Sequence, residues 1–225
     1  MIKNISNLGD AALYCDFGDE VNKEINSNVI KYFNSIKVNK IKGVNNLTPS
    51  YNKLIISYDL KVTNFRAIKQ KIEKLSLSED KKIIGKNLEI PVCCDVSFSL
   101  DIERLENKLS LKRDQILENF FTKEFFCYMT GFIAGMPFLG DLDRQMRAQR
   151  LETPRVKVPK GSVGITEQFA NIYTFESPGG WNIIGNTPLE VFDSSKETEP
   201  NLINPGDAVK FKQITFEEYK NYNEQ

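Results

Sequence analysis

Between Gly131 and Pro188 no more than thirteen residues pass without a glycine or proline, and the apolar runs left between them are short. Those runs fall at residues 156–158, 163–165, 172–175, 181–184 and 189–192. Proline fixes φ and removes a backbone donor, and glycine weakens a helix interior, so no long helix fits this stretch. Short runs between Gly/Pro turns predict an all-β sandwich or a closed barrel. The turn Asn204-Pro205-Gly206-Asp207 and the run 209–211 continue the pattern.

The first part of the chain reads differently. Leu13, Cys15 and Phe17 alternate as a strand that Gly18-Asp19 ends. Val21, Ile25, Val29, Phe33 and Ile36 recur at helical spacing, with Asp19 as the expected cap. Thr48-Pro49-Ser50 marks a break, and residues 54–58 read as a second strand. Asn64 is placed to cap a helix with Phe65, Ile68, Ile72 and Leu75 on its core face. Strand–helix–strand–helix predicts a small α+β domain over residues 1–82. The polar, lysine-rich stretch 76–87 is the expected boundary, with a mainly-β domain over 83–225. Leu88, Ile90, Val92 and Cys94 open that domain as a strand. Residues 100–121 then read as helical, carried by Ile102 and Leu105 and by Leu111, Ile116 and Phe120, and residues 125–134 as strand.

Composition excludes several function classes. The 225 residues contain 30 Lys and Arg against 30 Asp and Glu, so nothing supports a nucleic-acid partner electrostatically. There is no histidine, which rules out Ser-His-Asp and Cys-His catalysis and His-bound zinc. Acid–base work falls to Asp, Glu, Lys, Tyr or a partner protein. The four cysteines, Cys15, Cys93, Cys94 and Cys127, form no CxxC pair, sit in apolar stretches and read as small buried thiols of a reducing compartment. No metal site is expected. No secretory signal is read at the N-terminus and no apolar run has the ~20 residues of a membrane helix, so a cytoplasmic location without membrane contact is the expectation.

Four clusters are more specified than folding requires: Gly131-Phe132-Ile133-Ala134-Gly135-Met136-Pro137-Phe138-Leu139-Gly140; Thr153-Pro154-Arg155; Pro159-Lys160-Gly161-Ser162-Val163-Gly164-Ile165; and Ser177-Pro178-Gly179-Gly180-Trp181, closing with Gly185-Asn186-Thr187-Pro188. In this order, with Ile172-Tyr173 between the last two, they resemble the allophanate hydrolase subunit 1 family. Gly9-Asp10-Ala11-Ala12-Leu13, Pro49-Ser50-Tyr51 and Ile90-Pro91-Val92-Cys93 extend the resemblance over nearly the whole chain. It implies an α+β N-terminal domain followed by a cyclophilin-like β-barrel.

It also implies a subunit of an ATP-dependent 5-oxoprolinase, which opens the lactam of 5-oxoproline to L-glutamate together with a C-type (allophanate hydrolase subunit 2-like) and an A-type subunit. Other family roles are a KipI-like inhibitor of a sensor histidine kinase and an allophanate hydrolase-type amide hydrolase subunit. A lactam is a resonance-stabilised amide, and phosphorylating its oxygen makes the carbonyl carbon attackable, which explains the need for ATP. No GxxxxGK[ST] loop occurs here, so ATP has no P-loop in this chain. The chain departs from the family in carrying Phe120 for a His, Phe169 for a Gln, Asn186 for an Arg, Met136 for an aromatic and Gln149-Arg150 for a Pro-Arg pair.

No catalytic residue is assigned. As substrate-binding candidates, Arg155 and then Arg150 match a substrate carboxylate as bidentate donors, against a loop-pinning ion pair. Met136, Pro137 and Phe138 are pocket wall or core filling. Ser162 is a ligand donor or a turn residue. Trp181 is a ligand platform or barrel core. Gly179 and Gly180 offer backbone N–H groups to an anion or form a tight turn. Asn186 and Thr187 contact substrate or partner. Asp141 and Asp143 are a carboxylate pair or solvated loop acids.

Overall fold

The structure is a computed structural model and describes residues 1–75 and 85–223. The chain divides into two compact units, Met1–Ile84 and Gly85–Gln225. The expected division at 82/83 lies outside the described residues.

In the first unit β1 (Asn4–Asn7), β2 (Ala12–Asp16), β3 (Val44–Pro49) and β4 (Lys53–Tyr58) form one antiparallel sheet in the order β1-β2-β4-β3. Helices α1 (Lys23–Asn39) and α2 (Phe65–Glu73) complete it. The strands alternate, so Leu13, Cys15, Leu54 and Ile56 are fully buried and meet Val29, Ile36, Ile68 and Ile72 of the helices. Asn64 caps α2 as expected, its Oδ1 accepting from Ala67 N at 3.0 Å. The cap of α1 is Asn22, not Asp19: Ile25 N donates to Asn22 Oδ1 at 2.9 Å. Asp19 lies a full turn too early to reach the first free N–H groups. The Thr48-Pro49 break is the end of strand β3.

The second unit contains β5 (Asn87–Cys93), α3 (Ile102–Leu109), α4 (Arg113–Phe121), β6 (Glu124–Thr130), β7 (Pro137–Gly140), β8 (Arg155–Val158), β9 (Ser162–Thr166), β10 (Phe169–Ile172), β11 (Ser177–Gly179), β12 (Asn182–Asn186), β13 (Ala208–Ile214) and α5 (Phe216–Asn223). Seven strands close into a barrel in the order β10-β7-β6-β13-β5-β12-β9, with β13 parallel to β5. Strands β8 and β11 form a separate antiparallel ribbon. Val92, Cys127, Leu139, Val163, Ile165, Ala170, Ile172 and Ile184 fill the interior together with Phe120, Phe125 and Phe211.

Three expectations are corrected here. The strand expected over 125–134 ends at Thr130, because Gly131 to Gly135 turn the chain: Gly131 N donates to Met136 O, and Phe132 and Gly135 both hold φ near 70°. Residues 189–192 form no strand; Phe192 makes one isolated bridge to Asn201. The run at 172–175 contributes only Ile172 to β10. The turn at 204–207 forms as expected, and the buried Asp207 holds it by accepting from Lys86 N and Asn204 N at 2.8 Å.

Candidate functional site

Strand alternation puts the four clusters of the second half on a surface that the barrel interior does not use. In β9 and β10 Val163, Ile165, Ala170 and Ile172 point inward, so Gly164 and Asn171, which face each other in register, lie on the other face of the wall. There Met136, Val158, Tyr173, Trp181 and Ile183 form a second apolar cluster, with Phe138 and Phe169 packed against it. Val158 reaches this cluster from the β8–β11 ribbon, which covers that face. Phe138 stands edge-on to Trp181, with ring centroids 5.7 Å apart. Met136 and Phe138, expected as pocket wall or core filling, are packed in an apolar wall outside the barrel.

Two polar side chains buried in this wall each keep an oxygen outside any hydrogen bond. Asn171 is 0% exposed and Tyr173 1%, and neither Asn171 Oδ1 nor Tyr173 Oη makes a hydrogen bond. Asn171 Nδ2 has only the sulfur of Met136, at 3.9 Å. The glycines of the motif make room for the pair. A Cβ on Gly164 would stand 2.9 Å from Asn171 Oδ1, and one on Gly179 would stand 2.7 Å from Tyr173 Cζ. A buried polar group that finds no protein, water or ligand partner costs about 1–3 kcal/mol, so these two atoms are suited to receive one. Burial dominates the Tyr173 hydroxyl and raises its pKa. Asn171, the Trp181 backbone and the charges of Arg150 and Arg155 pull the other way, the first two approaching without hydrogen-bond geometry.

The two arginines differ. Arg155 opens β8 and forks onto Asp101, with Nη2 at 2.6 Å from Oδ1 and Nη1 at 2.9 Å from Oδ2. Asp101 is buried and accepts a third hydrogen bond from Ile183 N at 2.7 Å. The fork of Arg155 is thus spent on joining β8, α3 and β12. Arg104 reinforces the joint by donating to Asn182 Oδ1, while Asn182 Nδ2 donates to Gln149 O and Ile165 O at 3.1 Å. Arg150 is exposed, and among the described residues its guanidinium has no carboxylate partner.

The remaining candidates are held by turn and strand contacts. Pro137 is buried at the start of β7. Asn186 Nδ2 donates to Lys160 O at 2.9 Å, and its Oδ1 accepts from Tyr219 Oη at 2.7 Å. Thr187 N donates to Gly161 O, and Ser162 O accepts from Tyr173 N at 2.9 Å. Ser162, Asn186 and Thr187 thereby tie the 159–161 turn to β12 and α5. Gly179 and Gly180 are both buried, and Gly180 O accepts from Leu151 N at 2.7 Å. Asp141 and Asp143 do not form a carboxylate pair: Asp141 accepts from Tyr128 Oη at 2.9 Å and Asp143 pairs with Lys123 at 2.6 Å. Sequence reasoning does not single out Asp101, Asn171 or Tyr173. Tyr173 stands in the Ile172-Tyr173 motif, but nothing local marks its hydroxyl as unpartnered.

All four thiols are free and buried. Burial pushes Cys15 and Cys94 up to about 12 and raises Cys93 and Cys127, so none is a ready nucleophile at neutral pH. Among the described residues no group of three or more Cys, Asp and Glu is arranged to hold a metal ion. No helix among them is long and apolar enough to cross a membrane.

The pattern of the carboxyltransferase domain, subdomain C and D, matches residues 3–203. The B-type subunit of the 5-oxoprolinase of Bacillus subtilis (strain 168) is 32% identical over 233 residues, covering 98% of this chain and 97% of that protein. Its counterpart in Escherichia coli O157:H7 is 33% identical, covering 77% of each. Among solved structures TTHA0988 superposes with a TM-score of 0.82 at 27% identity, over 91% of this chain but only 40% of its own. The Kluyveromyces lactis urea amidolyase shares the fold, with a TM-score of 0.77 at 19% identity over 96% of this chain and 15% of its own.

Proposed function

The chain belongs to the carboxyltransferase domain family, subdomain C and D, and from that premise we propose that it is the B-type subunit of an ATP-dependent 5-oxoprolinase. It would act with C-type and A-type partners in the reducing cytoplasm, where four free buried thiols persist. The cyclophilin-like identity of the barrel and its start near residue 83 belong to the same reading. Likeness to the Bacillus subtilis protein along almost all of both chains supports it.

The observation that carries the site is the unpartnered pair Asn171 and Tyr173 behind the Phe138–Trp181 wall. A lactam presents one N–H donor and one carbonyl acceptor, and the pair offers an acceptor (Asn171 Oδ1) and a donor (Tyr173 Oη). Arg150, without a carboxylate partner among the described residues, is suited to the substrate carboxylate. Arg155 holds β8 in place through Asp101 and acts as a positioning residue. The substrate reaches the pair only when the β8–β11 ribbon over the wall opens. The residues described do not fit Mg-ATP by a P-loop or a carboxylate cluster, so nucleotide is assigned to the complex and no step is routed through it here.

The test is to co-express the chain with C-type and A-type partners and measure 5-oxoproline-dependent ATP hydrolysis. Glutamate formation that stops when this chain is omitted is expected. No turnover with a partner set competent with the Bacillus subtilis protein overturns the reading. Urea and allophanate in parallel reactions separate it from the amide hydrolase reading.

A further inference from the structure

Charge is distributed unevenly along the chain. Residues 1–75 hold 12 Lys and Arg against 7 Asp and Glu, whereas residues 85–223 hold 16 against 20. No acidic residue occurs between Glu24 and Asp59, a stretch that carries Lys31, Lys37, Lys40, Lys42 and Lys53. Only Lys53 of these is in an ion pair among the described residues.

The fold gathers part of this charge around an apolar depression. A cavity of about 600 Å³ is lined by Phe33, Ile36 and Leu47 together with Lys37, Lys40 and Lys42, the Lys37 ammonium standing over the Phe33 ring at 6.0 Å. A second cavity of about 420 Å³ adjoins it through Lys40 and Lys42 and adds Lys71 and Lys74. All five of these lysines are exposed. Like charges crowded without counter-ions repel one another and raise the local potential.

The same cavity runs along a sheet edge that no strand covers among the described residues. β3 is the last strand in the order β1-β2-β4-β3, and Asn45 and Asn46 line the cavity beside Leu47. An edge strand presents unpaired N–H and C=O groups, the usual protection being lysines on the strand, a proline or a bulge. β3 has no lysine; its bulge between Val44 and Asn46 and its Pro49 shorten the open edge to about residues 45–48.

We propose that this edge is a docking surface for an acidic, extended segment of a protein partner. The segment adds to β3 as a fifth strand, seats an apolar side chain over Phe33 and Leu47, and sets its carboxylates against Lys37, Lys40 and Lys42. Main-chain pairing supplies affinity, and alternate side chains supply specificity. Charge complementarity decides for an acidic partner, and the free edge decides for a polypeptide over a compact anion. The surface belongs wholly to the first unit and stands independently of lactam opening.

The test uses the full chain and a fluorescein-labelled decapeptide of alternating glutamate and valine, read by fluorescence anisotropy and amide hydrogen exchange. Saturable binding is expected, with slowed exchange at residues 45–48 and about tenfold weakening between ~50 and ~300 mM salt. The exposed double substitution Lys40→Gln/Lys42→Glu is expected to weaken binding about tenfold while lowering thermal unfolding only slightly, since Lys40 caps the C-terminus of α1. The salt series needs no variant, so it decides even if the double variant folds poorly. Equal binding of a lysine–valine decapeptide overturns the proposal. So does binding without protection of the β3 amides, or inorganic tripolyphosphate binding as tightly as the peptide.

Discussion

The two faces of the wall built from β9, β10 and β12 follow opposite rules. Inside the barrel, Val163, Ile165, Ala170, Ile172 and Ile184 are all 0% exposed and carry no polar atom. Outside it, the same strands present Gly164 and Asn171, and Tyr173 follows directly after β10, under Trp181 and the β8–β11 ribbon. The inner face satisfies itself by packing. The outer face leaves two buried polar atoms without partners and removes side chains at Gly164 and Gly179 to keep them there. Two such atoms side by side, on a face whose opposite side has none, make the outer face the better place to look for chemistry.

The contrast is broken most forcefully on the inner face. Ile165→Ala is expected to lower unfolding stability by about 3 kcal/mol, through lost burial plus a cavity that the closed barrel cannot collapse. Urea unfolding measures it, and a loss below ~1 kcal/mol would mean that the interior is not tightly packed. The joint that carries the outer face comes next. Asp101→Ala strands the Arg155 guanidinium and the Ile183 N–H, with an expected loss of about 2–3 kcal/mol, below the fully buried case because Arg155 retains 28% side-chain exposure.

Tyr173→Phe then separates the faces by sign. Removing an unpartnered hydroxyl is expected to leave stability unchanged or raise it by up to ~1 kcal/mol, while turnover by the assembled complex falls about tenfold or more. If both stability and turnover stay unchanged, the outer-face pair is not a substrate site.

The smallest effect lies in the first unit, in the ion pair of Lys53 with Asp16. The ammonium of Lys53 holds the Asp16 carboxyl below its usual value. A lowered folded pKa contributes stability above the unfolded carboxyl value and loses it as pH falls through the folded one. Lys53→Met is therefore expected to lower stability at neutral pH by about 0.5 kcal/mol, with the difference vanishing in acid. Parallel unfolding curves at neutral and acidic pH check it, and they scale this half-buried pair against the Arg155–Asp101 joint, whose carboxylate is buried.

Legibility follows the range of the interaction. Asn64 is readable as a cap because capping involves residues three apart, as Ala67 N shows. Asp19 and Asn22 are both capping types within one turn, and only the helix register chooses Asn22. Helix α5 has a local signature, the Thr215–Glu218 capping box, in which Glu218 N donates to Thr215 Oγ1 at 3.2 Å and Thr215 N to Glu218 Oε2 at 2.7 Å, but its docking is distant, through Tyr219 to Asn186. Arg155 is legible as an important side chain, but its partner Asp101 is 54 residues away, so the sequence does not distinguish a substrate fork from an internal joint.

By itself the sequence determined that the second half is made of short strands, because glycine and proline exclude long helices there, and that none of these 225 residues supplies a histidine to any chemistry. It also determined the family, through the compound order of the motifs from Gly131 to Pro188. Only the tertiary structure decided which face of each strand is core and which is site. A period of two places alternate residues on opposite sides without saying which side will close on itself. That choice followed from barrel closure, which dries one face, and from the β8–β11 ribbon, which covers the other and leaves Asn171 and Tyr173 beneath it.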